Sequence, residues 1–373
     1  MLKKIIILWL FIASLAPLAF AAEETVRVLI AQDIPSVYIR IKGSFEVRSG
    51  ADNRLVYKGK SLRSQAVKAG SNKINFPRGC GNFSRLQIIP KKGGYVYVNK
   101  RAYRGKIILI AADARLSAVN ELNVEDYLRG VLCNEVAPWW PMDALKAQAI
   151  IARTYALYQK QFTKNKDFDL TSDIYSQVYG GKNSERWRTS RAIDLTRARI
   201  LMFQGKLLPA YYHAACAGHT EDASVLWKIN LIPLKGVSCN FCSSSPHFKW
   251  QAQMPLEAIK DKLIKKGLPV ENISGIEVIG YDVSGRVTGL KISAGAGFMT
   301  ITAKDFRQAL GPNILRSANF SVNISGETAY FDGFGWGHGV GLCQWGMYAM
   351  AKNGSTYEQI LRYYFPQSEL YAK

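Results

Sequence analysis

The hydrophobic pattern of the chain changes period near residue 120. Up to there it is strand-like. Val26-Arg27-Val28-Leu29-Ile30 and Val37-Tyr38-Ile39-Arg40-Ile41 are β-branched and aromatic, and Phe45-Glu46-Val47-Arg48 and Tyr95-Val96-Tyr97-Val98 alternate. Gly43, Gly59, Gly70 and Gly93-Gly94 punctuate these runs. A β-rich module that binds or positions is predicted over residues 22–115. Beyond it, Asn123-Val124-Glu125-Asp126 has the form of a capping box and predicts a short helix to about Leu132. Pro141, whose missing N–H costs nothing at a helix start, opens a second helix to about Phe162. Leu145, Ala149, Ala152 and Ala156 share one face of it, an alanine stripe suited to close packing. Residues 270–305 return to strand texture, with a hairpin turn at Ser284-Gly285. Thr302-Ala303-Lys304-Asp305 caps a short helix through Leu310. Helices follow near 343–352 and 356–364, the second opened by a capping box at Ser355-Thr356-Tyr357-Glu358. With no internal repeat or low-complexity linker, the expected class is α+β: mixed helices and sheets around a substrate groove, with the β-rich module in front.

Charge and the N-terminus narrow the setting. Lys3 and Lys4 precede an apolar run from Ile5 to Ala13, and Ala19-Phe20-Ala21 reads as a small-residue cleavage site. Residues 1–21 are therefore predicted to be an export signal. The alternative is an uncleaved anchor over residues 5–22, short for a bilayer span and interrupted by Pro17. Either places the chain in the periplasm or cell-wall space, touching a membrane only through that segment. The formal charge of +21 favours an anionic partner. Export argues against nucleic acid, and no basic tract reads as a nucleic-acid arm. Cell-wall polymers or anionic headgroups remain, beside scattered solubilising charge.

Three groups of residues could carry chemistry. Cys216-Ala217-Gly218-His219 and Cys239-Asn240-Phe241-Cys242 are two chelating pairs with matched spacing. They suit a tetrahedral, closed and hence structural zinc site of Cys216, His219, Cys239 and Cys242, within a segment 213–242. A Cys239–Cys242 disulfide is the alternative, and His213 could replace His219 or face a groove. The run Gly333-Phe334-Gly335-Trp336-Gly337-His338-Gly339-Val340-Gly341 has glycine at every other position. Extended, it would bare one face to a polymer or to another backbone. Trp336 and His338 would then meet a sugar. Last, Glu135 lies between Cys133-Asn134 and Val136-Ala137-Pro138, close to Trp139-Trp140. Apolar surroundings would raise its pKa and suit a lone general acid/base; a buried structural carboxylate is the competing assignment. Asp126 and Asp143 read as helix-terminal acids, leaving no obvious second catalytic carboxylate. Lys146 and Arg153 share a helix face and either bind an anion or pair with acids. No nucleophile elbow appears, and a Cys–His pair could be drawn only from Cys133, Cys343 and His338.

Longer motifs carry a resemblance. Glu121-Leu122-Asn123-Val124-Glu125-Asp126-Tyr127-Leu128-Arg129-Gly130-Val131, Asn134-Glu135-Val136, Trp140-Pro141, Ala144 to Ala149 and Ala152 to Ala156 resemble the SpoIID/LytB family of stage II sporulation protein D and amidase enhancers. So do Gly335 to Gly346, Tyr363-Tyr364-Phe365-Pro366 and Ser245-Pro246-His247-Phe248-Lys249-Trp250. The likeness covers roughly residues 100–370 and implies a SpoIID-like catalytic region over 116–373. It also implies a peptidoglycan lytic transglycosylase, which cleaves the MurNAc–GlcNAc bond without water and leaves a 1,6-anhydro-muramoyl end. Glu135 would serve as its sole acid/base. Lys146, Gln148, Arg153, Tyr155, His213, Trp336, His338 and Gln344 would contact the glycan strand. A cell-wall amidase is the implied partner, and a non-catalytic amidase enhancer is the alternative function. Family members often carry serine and glycine in place of Cys216 and Ala217, so the chelating set would belong to a subgroup.

Overall fold

The computed structural model describes residues 24–77 and 83–372, so the predicted export segment and Cys80 lie outside it. The fold is mixed α+β, with no barrel among the described residues. The period-two segments form two sheets. One has seven strands, in the order Leu170–Thr171, Thr25–Ile34, Arg115–Asn123, Lys106–Ala112, Arg85–Pro90, Phe45–Ser49, Leu55–Gly59. The other has five: Lys73–Asn75, Leu62–Gly70, Ser36–Lys42, Tyr95–Val98, Arg101–Tyr103. Alternation supplies the reason. Strand Ser36–Lys42 buries Val37, Ile39 and Ile41 in a common core with Val26, Val28, Leu86, Ile88 and Leu109 of the larger sheet, and its intervening residues face outward.

Strand Arg115–Asn123 runs straight into helix α1 (Val124–Glu135). The Asn123 side chain accepts the Glu125 N–H at 2.8 Å. Asp126, expected to close a capping box, is drawn instead toward Arg104 and Arg129. The helix ends at Glu135, later than the expected Leu132. Residues 133–135 contain no helix breaker, and Asn134 bonds back to the Gly130 carbonyl at 2.9 Å. The stop comes at Val136, which is extended, ahead of Pro138, which disfavours helical geometry at Ala137.

Helix α2 (Met142–Phe162) follows Pro141 and is the central strut. Ala149, Ala152 and Ala156 face the sheet core, as the stripe predicted. Leu145, with Ala144, Ala147, Ile150 and Ile151, faces a second core instead. That core is shared with α3 (Trp187–Leu195), α4 (Ala223–Trp227) and the two C-terminal helices. A third core joins two three-stranded sheets over residues 249–334 to α5 (Leu256–Ile264) and α6 (Ala303–Leu310). Gly285 makes the predicted hairpin at a φ of 77°, and Thr302 caps α6. α7 (Gln344–Lys352) and α8 (Tyr357–Tyr364) complete the α-helices among the described residues. The capping box of α8 pairs Thr356 with Gln359, one residue beyond the expected Ser355 and Glu358. Among the described residues no helix is long and apolar enough to cross a membrane.

Candidate active site

Glu135 ends α1 with its carboxyl facing a cavity of about 360 Å³. Such a volume falls in the range of small-ligand sites. Oε1 accepts the Val178 N–H at 3.0 Å, and the Tyr212 hydroxyl also bonds the carboxyl. Among the described residues lining the cavity there is no lysine, arginine or second carboxylate. Burial therefore dominates and pushes the Glu135 pKa up to about 7, with the two hydrogen bonds pulling partly back. The negative end of α1 acts in the same direction as burial. A chain of bonds stands behind the carboxyl. Tyr127 donates to Gln177 Oε1 at 3.0 Å, and Gln177 Nε2 donates to the Tyr212 hydroxyl at 3.1 Å. Tyr127 and Gln177 are fully enclosed.

Two histidines form the opposite wall, their rings 5.7 Å apart. His338 Nδ1 accepts the Val340 N–H at 3.0 Å, and burial, with the charges of Arg307 and Arg286, pushes its pKa down to about 3. His213 Nδ1 lies 3.2 Å from the Val340 carbonyl. A carbonyl can only accept, so Nδ1 holds the proton and Nε2 is a bare acceptor. Nε2 has no protein partner, and burial holds His213 neutral. The site thus offers one carboxyl acid and a set of aromatic surfaces from Tyr155, Tyr175, Tyr211, Trp227 and Trp336, with the unpaired His213 Nε2 buried in its wall.

The glycine run does not lie flat. Gly335, Gly337, Gly339 and Gly341 all have φ between 73° and 117°. A Cβ on Gly337 would meet the His213 Cβ at 2.6 Å. Of the two uses expected for a bare glycine face, the structure realises close approach by the chain itself: segment 211–216 and Arg286 fill the space.

Of the residues singled out in sequence, Glu135, Tyr155, His213, Trp336, His338 and Gln344 meet at the cavity. Lys146, Gln148 and Arg153 do not line it. Arg153 is buried and donates to both oxygens of Glu125 at 2.8 and 2.7 Å, because its helix face packs inward against α1. Lys146 sits beside Asp143 and over the Tyr357 ring. Gln148 is one step back: Gln344 Nε2 bridges Gln148 Oε1 and the Glu135 carbonyl, each at 3.3 Å. Tyr211, Tyr212, Gln177 and Trp227 went unpredicted. Their only sequence signal was the aromatic pair directly before His213.

The cysteine set also differs from expectation. The thiols of Cys216, Cys239, Cys242 and Cys343 all lie within 4.8 Å of one another and are buried. His219 is not among them. Strand Gly218–His219 pairs with Ser238–Cys239, which sets His219 opposite Ser238, and its Nδ1 faces the Thr220 carbonyl at 2.6 Å. Cys343 takes the fourth corner because Leu342–Cys343 pairs in parallel with Tyr212–His213.

A model of the SpoIID family, described as stage II sporulation protein, matches residues 112–203, the segment that carries Glu135 and α2. An uncharacterized protein of Brachyspira hyodysenteriae is 33% identical over 350 residues, 93% of either chain. Stage II sporulation protein D of Bacillus subtilis is 28% identical over 268 residues, 68% of this chain and 76% of that protein. The chain belongs to the SpoIID/LytB family. The amidase enhancer of Bacillus subtilis is 25% identical over 288 residues, covering 65% of this chain and 40% of that protein. A further model, a domain of unknown function named DUF8618, matches residues 233–341. In this SpoIID/LytB protein the SpoIID match supplies Glu135, Tyr155 and the 174–178 loop, while Tyr212, His213 and Gln344 come from outside both matched segments.

Proposed function

We propose that this SpoIID/LytB protein is a peptidoglycan lytic transglycosylase with Glu135 as its single acid/base. One observation carries the proposal: a lone carboxyl, pushed up to about 7, faces a cavity with aromatic walls and no second carboxylate among its described lining residues. Hydrolytic glycosidases of the common kinds use two carboxylates, one of them to activate water or to attack. A single carboxyl suffices if the nucleophile belongs to the sugar. Protonated Glu135 donates to the glycosidic oxygen as the MurNAc C1–O bond breaks, and the GlcNAc hydroxyl departs. The resulting carboxylate then removes the proton of the MurNAc C6 hydroxyl, whose oxygen bonds to C1. Glu135 ends protonated again, and no water is consumed. The aromatic rings would take the apolar faces of the sugar.

Family membership and the amidase-enhancer relative support a role at the cell wall beside an amidase. They also keep a second reading in play, a wall-binding enhancer of an N-acetylmuramoyl-L-alanine amidase that does no chemistry itself. Such a substrate requires export to the periplasm or cell-wall space, as residues 1–21 predict. The test is digestion of glycan strands stripped of stem peptides, with products read by mass spectrometry. New 1,6-anhydro-muramoyl ends from the parent chain, absent with Glu135→Gln, are expected. Reducing ends, or equal product from the variant, would defeat the assignment. Strand binding and amidase stimulation without cleavage would establish the enhancer instead.

A further inference from the structure

We infer that Cys216, Cys239, Cys242 and Cys343 bind one zinc ion in a closed, structural Cys₄ site. The distances fit a metal better than a disulfide. Four sulfurs at about 2.3 Å from a tetrahedral zinc lie about 3.8 Å apart. Cys216 and Cys242 stand 3.6 Å apart, and all four thiols fall within 4.8 Å of one another. A disulfide needs about 2.05 Å and satisfies only two sulfurs at a time. Soft thiolates in a tetrahedral array select zinc over hard cations.

The surroundings are built for thiolates. Cys343 Sγ accepts the N–H groups of Cys216 at 3.3 Å and of Gly346 at 3.4 Å. Cys239 Sγ lies 3.1 Å from the Tyr364 hydroxyl. Donors of this kind orient metal-bound sulfur and offset its charge. All four side chains sit among apolar residues such as Leu234, Val340, Leu342 and Met347, which leaves no path for a substrate to an open coordination position. The metal would hold fold rather than perform chemistry.

Three segments distant in sequence meet at this point: the stretch that follows strand Tyr212–His213, the Cys239–Cys242 turn and the residue that opens α7. Cys343 directly precedes Gln344, which grips the Glu135 carbonyl, and it pairs with His213, three residues before Cys216. The ion would therefore clamp the His213 wall of the cavity to α7.

Metal analysis of the full chain, purified without chelator, is expected to give one zinc per chain. X-ray absorption at the zinc edge is expected to show four sulfur neighbours at about 2.3 Å. Three sulfurs and one nitrogen would overturn the assignment of Cys343, and a metal-free chain with disulfides by mass would overturn the site. His219→Ala is expected to keep its zinc, and Cys343→Ser to lose at least ten-fold in zinc affinity. Should Cys343→Ser not fold, the absorption spectrum of the parent still decides. Glu135→Gln is expected to hold one zinc whether or not the parent cleaves glycan, which separates this result from the proposed reaction.

Discussion

At the residue scale the proposed chemistry rests on the environment of Glu135. General acid/base catalysis by one side chain contributes typically 10²–10⁴-fold. Glu135→Gln is expected to lower glycan cleavage by about that much while strand binding persists, as measured by product release and co-sedimentation. The pH dependence follows from the raised pKa. The first step needs the protonated acid, so cleavage should fall as pH rises through about 7. Stability has the same sign. A carboxyl raised above its ordinary 4.5 contributes fully below that value and loses its contribution as pH rises through about 7. Urea midpoints of the parent should therefore drop relative to Glu135→Gln between pH 4.5 and 7. Tyr212 adjusts the setting. Its hydrogen bond favours the ionised form, so Tyr212→Phe should move the alkaline limb of the rate profile upward. The same change leaves Gln177 Nε2 short of a partner, at about 1–3 kcal/mol of stability.

At the element scale, helix ends and close backbone approach do the placing. Pro138 and the extended Val136 end α1 where Glu135 reaches the cavity. The pair of Arg153 and Glu125 locks α2 to the start of α1, with both side chains buried. Removing one member leaves a buried charge uncompensated, which typically costs about 3–5 kcal/mol. Arg153→Met should lower the denaturation midpoint accordingly, with the cavity residues untouched; an effect confined to substrate affinity would instead return Arg153 to the groove. Gly337 has the reverse character. Its φ of 117° and the nearness of the His213 Cβ forbid a side chain. Gly337→Ala should destabilise by about 1–3 kcal/mol and displace His213, read as a loss of glycan affinity.

At the scale of the whole molecule, the cavity lies where α1, the 174–178 loop, the strand before Cys216, the glycine run and the start of α7 converge. Most elements were legible from the residues. Strand alternation, the Asn123 and Thr302 caps, Pro141 and the Ser284-Gly285 turn are short-range signals, set by backbone sterics and by hydrogen bonds within a few residues. Glu135 was legible too, through its apolar neighbours and the family motif around it. Long-range partnership was not. For Lys146 and Arg153 anion binding and pairing with acids both stayed open, because helical spacing shows only a shared face, not what that face meets; the structure pairs them with Asp143 and Glu125. His219 looked like a zinc ligand because matched spacing cannot show which way a short strand turns its side chains. Cys343 stood outside any local motif and reached the other thiols only through pairing of Leu342–Cys343 with Tyr212–His213. The sequence alone therefore determined most of the elements and the family, and it marked Glu135 as the candidate acid. The tertiary structure decided the acid's pKa, its tyrosine and glutamine relay, the neutral histidine wall and the fourth thiol, because each depends on desolvation or contact between segments far apart in the chain.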